Sequence, residues 1–251
     1  MYRVDGGRAA GLRARRLRSR RSTSNWVAVR QHHPARRRPH HRCGRWRAAG
    51  VFASGQACFA SSRLLVPRDK LNEAEEIARA TAESCRIGDP TDPSTALGPL
   101  VSRVQQQRVR DYIVGAAAEG AGLVAGGAAQ PAETARGYFV SGTVLSNVSP
   151  TMKVAREEIF GPVVCLMPYD TEEQAIQIAD STDYGLHGGV FSADVDHATA
   201  VARRLRTGRV DINGAANNML APFGGFKQSG IGREFGWAGF EEFLEIKAIQ
   251  Y

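Results

Sequence analysis

From residue 61 to the C-terminus, short apolar runs alternate with longer polar segments that carry helix signals. No other feature of the chain constrains its fold as strongly. The runs SSRLLV (61–66), GLVAGG, GYFVSGTVLSNV, PVVCLMPY, HGGVFSA and RVDIN read as strands or extended segments. Between them, Asp69 is placed to cap a helix over 70–86, with Leu71, Ala74, Ile77, Ala78 and Cys85 near one face and Gly88 to stop it. Ser102 with Gln105, and Thr171 with Gln174, have the spacing of capping boxes, opening helices over about 103–118 and up to Asp180. DHATAVARRLRTG reads as a helix closed by Gly208, and a short helix is expected near 229–240 before a last strand in FLEIKAIQY. Strands alternating with helices predict an α/β fold of three αβα layers around a mostly parallel sheet. Its functional loops are expected at the carboxyl ends of the strands.

Residues 1–50 break this pattern. They hold fifteen arginines, no lysine and one acid, Asp5, for a charge of +14, whereas the remaining residues sum to −6. No hydrophobic period of 2 or 3.6 runs through them, and large apolar residues are too few to offset the entropy of folding. Residues 1–47 are therefore expected to be a disordered basic arm. Three accounts of it compete: arginines for nucleic-acid phosphates, an Arg-rich and acid-poor mitochondrial targeting segment, and GC-rich DNA read out of frame. Nothing else in the chain points to nucleic acid. No apolar run is long enough to span a membrane, and there is no apolar signal-peptide core. The four cysteines, Cys43, Cys58, Cys85 and Cys165, form no C-x-x-C pair and no metal-ligand spacing. Reduced thiols in the cytoplasm are the expectation.

Three blocks carry candidate chemistry. In FASGQACFASSR, small residues surround Cys58. At the start of a helix such a thiol would gain thiolate character from the free N–H groups, and its own N–H could face an oxyanion. A buried, inert cysteine is the alternative. Cys85 and Cys165 read as packing residues of a helix and a strand. In VAREEIFGPVV, the adjacent acids Glu157 and Glu158 need partners. A ribose diol beside a ring packed on Phe160 is one solution, and a loop salt bridge beside a core Phe is another. In APFGGFKQSGIGREFG, five glycines in sixteen residues mark tight turns or close approaches, without the order of a phosphate-binding P-loop.

Together these blocks resemble the aldehyde dehydrogenase superfamily, in its catalytic half. GDPTDPSTALGPLVS, STDYGL and GVFSADVDHATAVARRLRTGRVDIN follow the family's order and spacing as well, and the resemblance covers roughly residues 48–251. It implies NAD(P)-dependent oxidation of an aldehyde to a carboxylic acid. Cys58 matches the nucleophile, which forms a thiohemiacetal that passes hydride to a nicotinamide and becomes a thioester. Glu158 matches the carboxylate on the nicotinamide ribose, and Phe160 the aromatic beside the nicotinamide. Glu234 matches a second acid near the cysteine. Ala57, Phe59 and Phe223 match substrate-pocket positions. No metal is implied, and the cofactor is NAD or NADP. Asp180, SGTV and LEIK depart from the family pattern without touching the chemistry.

The resemblance divides the chain into the arm (1–47), a catalytic domain (48–240) and an oligomerisation strand (241–251). In the family, a dinucleotide-binding domain, an oxyanion-hole Asn and a general-base Glu precede the cysteine, and no such motif stands before Cys58 here. Near-zero activity of the chain alone is therefore expected, and an out-of-frame arm is the favoured account of residues 1–47. Expected partners are a small-molecule aldehyde, further copies of the chain or a full-length homologue. The alternatives from other classes are a non-catalytic subunit pairing with an intact homologue, and a cofactor-independent esterase using Cys58.

Overall fold

The computed structural model describes residues 25–28, 52–132, 134 and 136–251, with the backbone alone described at 25–28 and at Phe52. Its main sheet has seven strands among these residues: β1 (Asn25–Ala28), β2 (Arg63–Pro67), β3 (Gly122–Ala125), β4 (Thr143–Ser146), β5 (Val163–Tyr169), β7 (His187–Phe191) and β8 (Arg209–Ile212). They lie in the order β3-β4-β5-β2-β1-β7-β8. Every neighbouring pair is parallel except β3 and β4. A separate ribbon joins β6 (Tyr184–Gly185) to β9 (Phe226–Lys227). The helices are α1 (Leu71–Glu83), α2 (Arg103–Ala118), α3 (Lys153–Arg156), α4 (Glu172–Asp180), α5 (Val195–Arg204) and α6 (Gly236–Glu241).

Strand β5 explains the layering. Along it, Val163, Cys165 and Met167 join one buried cluster, with Val109 and Ile113 of α2, Ile176 of α4 and Val201 of α5. Val164 and Leu166 join the other, with Leu71 and Ala78 of α1. Successive side chains of a strand point to opposite faces, so a continuous apolar run fits a sheet covered on both sides. The expected αβα architecture is the observed one.

Several local expectations need correction. The arm is not wholly without structure: Asn25–Ala28 form β1, between β2 and β7. These residues lie in an Arg-free run, STSNWVAV, and the strands on either side satisfy their backbone groups. The rest of the arm, Cys43 included, lies outside the described residues. Asp69 does not cap α1; it sits in a 3-10 turn over Arg68–Lys70, and the N-cap is Lys70 without a side-chain bond. That helix ends at Glu83, so Cys85 lies beyond it and Gly88 does not stop it. Helix α5 ends at Arg204. Gly208 serves a different purpose, because a Cβ there would overlap the carbonyl of Gly224 in the glycine-rich loop. Ser102 and Thr171 do accept from the amides of Gln105 and Gln174 as capping residues. Residues 244–251 form no strand among the described residues, since no sheet edge of this chain lies against them.

Candidate functional site

The turn that carries Cys58 is built on strained backbone. Ala53, Ser54 and Gly55 are all left-handed, with φ of 50°, 57° and 71°. A side chain at Gly55 would overlap the carbonyl oxygen of Gly161, so two loops meet there backbone to backbone. The strained turn is held from outside. Ser54 Oγ donates to the Gly98 carbonyl (2.9 Å), and Gln56 Oε1 accepts from the Val101 amide (2.8 Å). The Ala60 amide then bonds the Ala57 carbonyl at 2.9 Å, closing a four-residue turn around a half-buried Cys58. Cys58 is therefore in a turn and not at a helix start, because the chain enters β2 within five residues. No helix among the described residues begins at Cys58 to activate it.

A shallow cleft, open to solvent, lies beside this turn. Gly55, Ala57, Ala60 and Ser62 line one side, and Glu158, Ile159, Phe160, Gly161 and Val163 the other. Ala57, Glu158 and Phe160 line this cleft together, and Cys58 lies between Ala57 and Ala60 in the chain. Both loops precede their strands, so the cleft stands at the amino ends of β2 and β5 and not at the carboxyl ends. Side chains of α2, rather than helix N-termini, give its second wall its shape.

Phe160 has φ of 58°, a conformation costly for a bulky residue. Gln105 Nε2 holds it by donating to the carbonyls of Ile159 and Phe160, each at 2.9 Å. One turn on, Arg108 Nη2 donates to the Glu158 carbonyl at 2.6 Å. One further turn on, the Tyr112 hydroxyl donates to Glu157 Oε2 at 2.7 Å. Burial and this bond to a carboxylate push the Tyr112 phenol up to about 12. The adjacent acids are thereby separated: Glu157 belongs to Tyr112, while Glu158 lines the cleft. Sequence reasoning gave Gln105 only a capping role and passed over Arg108 and Tyr112. Their spacing of three and four residues on one helix face was the available signal.

The remaining predicted residues lie elsewhere. Phe223 and Glu234 exchange backbone bonds of 2.7 and 2.6 Å, closing the base of the glycine-rich loop, and the Phe223 ring packs 6.3 Å from that of Phe235. Phe59 is turned edge-on to His187, ring centres 6.4 Å apart. His187 in turn meets Asp211 (Nε2 to Oδ2, 3.0 Å), and Arg209 grips the same carboxylate through Nε (2.8 Å) and Nη2 (3.1 Å). Burial alone would raise the Asp211 carboxyl, but these bonds outweigh it and hold it below its ordinary value. None of Cys58, Phe59, Phe223 and Glu234 is among the cleft-lining residues; Cys58 reaches the cleft's border only through its neighbours Ala57 and Ala60.

Fold and site together define a three-layer α/β protein whose candidate centre is a thiol-bearing turn set against a carboxylate and an aromatic ring. The chain belongs to the aldehyde dehydrogenase family, whose sequence profile matches residues 45–249. It is 52% identical over 199 residues to a 3-succinoylsemialdehyde-pyridine dehydrogenase from a Pseudomonas species, covering 79% of this chain and 42% of that protein. A mutant of aldehyde dehydrogenase C from Pseudomonas syringae, solved with NAD+ and octanal, superposes with a TM-score of 0.85 at 40% identity, over 91% of this chain and 46% of that one. Mycobacterium tuberculosis aldehyde dehydrogenase, solved with NAD+, gives 0.85 at 36% identity, over 95% and 49%. The chain thus spans less than half the length of these relatives.

Proposed function

We propose that this chain carries the thiol half of a site that oxidises an aldehyde to a carboxylic acid, with Cys58 as nucleophile. One observation carries the reading: Ala57 and Ala60, on either side of Cys58 in its turn, line a single cleft together with Glu158 and Phe160. In this reading the Cys58 thiolate adds to the aldehyde carbon, giving a thiohemiacetal and, after oxidation, a thioester that water cleaves. A nicotinamide cofactor, NAD or NADP, supplies the hydride acceptor when bound. The lining suits the ribose and ring end of such a molecule, because Glu158 can accept from a diol and Phe160 can pack beside a flat ring. Among the described residues, no Lys or Arg lines the cleft to meet phosphates. Ala57 leaves room beside the sulfur, while the substrate-side roles of Phe59 and Phe223 and the second-acid role of Glu234 rest on the family match, since all three lie outside the cleft lining. The chain by itself is proposed to turn over little, because among the described residues the cleft offers one carboxylate, already assigned to the ribose, and no separate base for the thioester.

The test uses the purified 251-residue chain and p-nitrophenyl acetate. The expected result is a burst of about one nitrophenolate per chain, with the acetyl group mapped to Cys58 by mass spectrometry and abolished in Cys58→Ala. Acylation that persists in Cys58→Ala overturns the reading. Steady hydrolysis after the burst, without NAD, would favour a cofactor-independent esterase.

A second reading, a subunit that pairs with copies of itself or a full-length homologue, draws on the C-terminal surface. Trp237, Phe243, Ile246 and Tyr251 are 69, 87, 99 and 117% exposed, a concentration of apolar area that a lone soluble chain seldom presents. Light scattering behind gel filtration tests it. A monomer at micromolar concentration, with or without the homologue, rules it out.

A further inference from the structure

We propose that Arg63 and Lys227 are positioning residues that clamp two separate parts of the site onto the carboxyl end of α4. The parts are the strand leaving the Cys58 turn and the glycine-rich loop carrying Phe223 and Glu234. The assignment of those parts to a site rests on the function proposed above; the clamp itself rests on geometry.

A helix leaves its last carbonyls without partners inside the helix, and they carry partial negative charge. At the end of α4, where Ile178 O also accepts from the Ser181 amide (3.2 Å) and Oγ (2.7 Å), two cations from distant segments reach these oxygens and the Thr182 carbonyl just beyond. Arg63, on β2 and 1% exposed, donates through Nη1 to Ile178 O (3.4 Å) and through Nη2 to Ala179 O (3.0 Å). Lys227, on β9, donates through Nζ to Asp180 O (2.8 Å) and to Thr182 O (3.0 Å). The two side chains divide the helix end between them without sharing an oxygen.

Each cation holds more than itself. Arg63 lies five residues after Cys58 in a continuous chain, so fixing it fixes where the turn ends. Lys227 holds a left-handed backbone, φ 54°, and its two charge-assisted bonds offset that strain. The same loop is docked on the residues just past α4 by Gln228 N to Asp183 O (2.9 Å) and by Gly185 N to Ser229 Oγ (3.0 Å). Arg233 Nη1 bonds the carbonyls of Gly225 (3.0 Å) and Gly232 (2.9 Å) across the loop's interior, and the Phe223–Glu234 pair closes its base. The loop is therefore internally braced, and Lys227, beside the β6–β9 pairing, fixes it against the end of α4.

Hydrogen exchange on the full chain tests the clamp. Lys227→Met is expected to raise exchange at the Phe223 and Glu234 amides at least about tenfold, to leave the Leu145 amide of β4 unchanged, and Lys227→Arg to restore most of the protection. Arg63→Lys, which keeps a cation on β2, is expected to hold the Ala60 amide and the Cys58 alkylation rate near wild type. Arg63→Met is expected to change both by about tenfold at an equal folded fraction. Exchange unaltered in Lys227→Met overturns the proposal, as does loosening that spreads equally to β4. If Arg63→Met does not fold, the Lys227 pair decides alone. A wild-type Cys58 that is never acylated would remove the catalytic reading and leave the clamp standing on its exchange data.

Discussion

Cys58 lies on the approach to β2 and Cys165 within the neighbouring strand β5, and the Cys165 amide bonds the Ser62 carbonyl at 2.8 Å, four residues from Cys58. Their surroundings differ in each respect that governs a thiol. Cys58 is half-buried in a strained turn beside a solvent-open cleft. Cys165 is wholly buried in the middle of β5, and burial pushes its thiol up to about 12 despite the Arg63 cation, which acts the other way. The difference teaches that in this fold a strand interior silences a cysteine, while the loop before the next strand exposes one. At pH 8 a thiol of pKa near 12 is ionised on the order of one part in 10⁴, and burial in β5 also keeps reagent from it. Iodoacetamide should therefore alkylate the half-buried Cys58 at least about 10² times faster than Cys165, read by peptide mass spectrometry. Comparable rates would break the comparison at its root.

The next largest effect comes from β1. Strands β2 and β7 are neighbours only through Asn25–Ala28, so a chain starting at Ala48 should lose the pairing on one flank of β2. Cys165, on the strand paired with the other flank, should then become alkylatable, its rate rising by about 10²-fold as the sheet loosens. An unchanged Cys165 rate in the truncated chain would mean that the arm contributes nothing to the sheet. Smaller again is Gly55→Ala, which places a methyl group against the Gly161 carbonyl on left-handed backbone. Denaturant titration should show a loss of about 2–4 kcal/mol, with the Cys58 rate altered at constant Cys165 rate. A loss under 0.5 kcal/mol would show that the two loops can separate freely.

The layering was legible because it follows from pattern. The unbroken apolar run of β5 needs cover on both faces, and the caps at Ser102 and Thr171 are local bonds between near neighbours in sequence. The Ala57, Glu158 and Phe160 grouping was legible through resemblance. What could not be read was long-range. Nothing near Gln105 or Arg108 says that they will hold carbonyls about fifty residues away, and nothing near Gly208 announces the Gly224 carbonyl. Strand β1 was hidden because composition averaged over an Arg-rich arm masks a four-residue strand, whose stability comes from its two neighbours and not from its own sequence. The same blindness applies to Arg63: a basic residue in a predicted strand suggests a solvent edge, and only the path of α4 reveals a helix end waiting for it.

The finest test of the two-thiol contrast is alkaline stability. Cys165 keeps its proton in the folded state up to about 12, whereas in the unfolded chain it titrates near its ordinary value of 9.0. Between these limits the native state binds more protons than the unfolded one, so stability must fall as pH rises. Arg63 has the opposite sign, since burial lowers its pKa to about 10, and above that pH the folded state releases a proton that the unfolded state retains. Tyr112, raised to about 12 from 10.0, adds to the Cys165 effect in that upper range. The interval from pH 9 to 10 is therefore where Cys165 can be read with least interference, at roughly 1 kcal/mol of lost stability. Urea titrations of wild type and Cys165→Ala at both pH values measure it. The variant starts lower, because a buried sulfur is gone, but its slope across the interval should be flatter by about that amount. Parallel slopes would mean that the unfolded chain protects the thiol as well as β5 does, and that burial in the strand is not what separates the two cysteines.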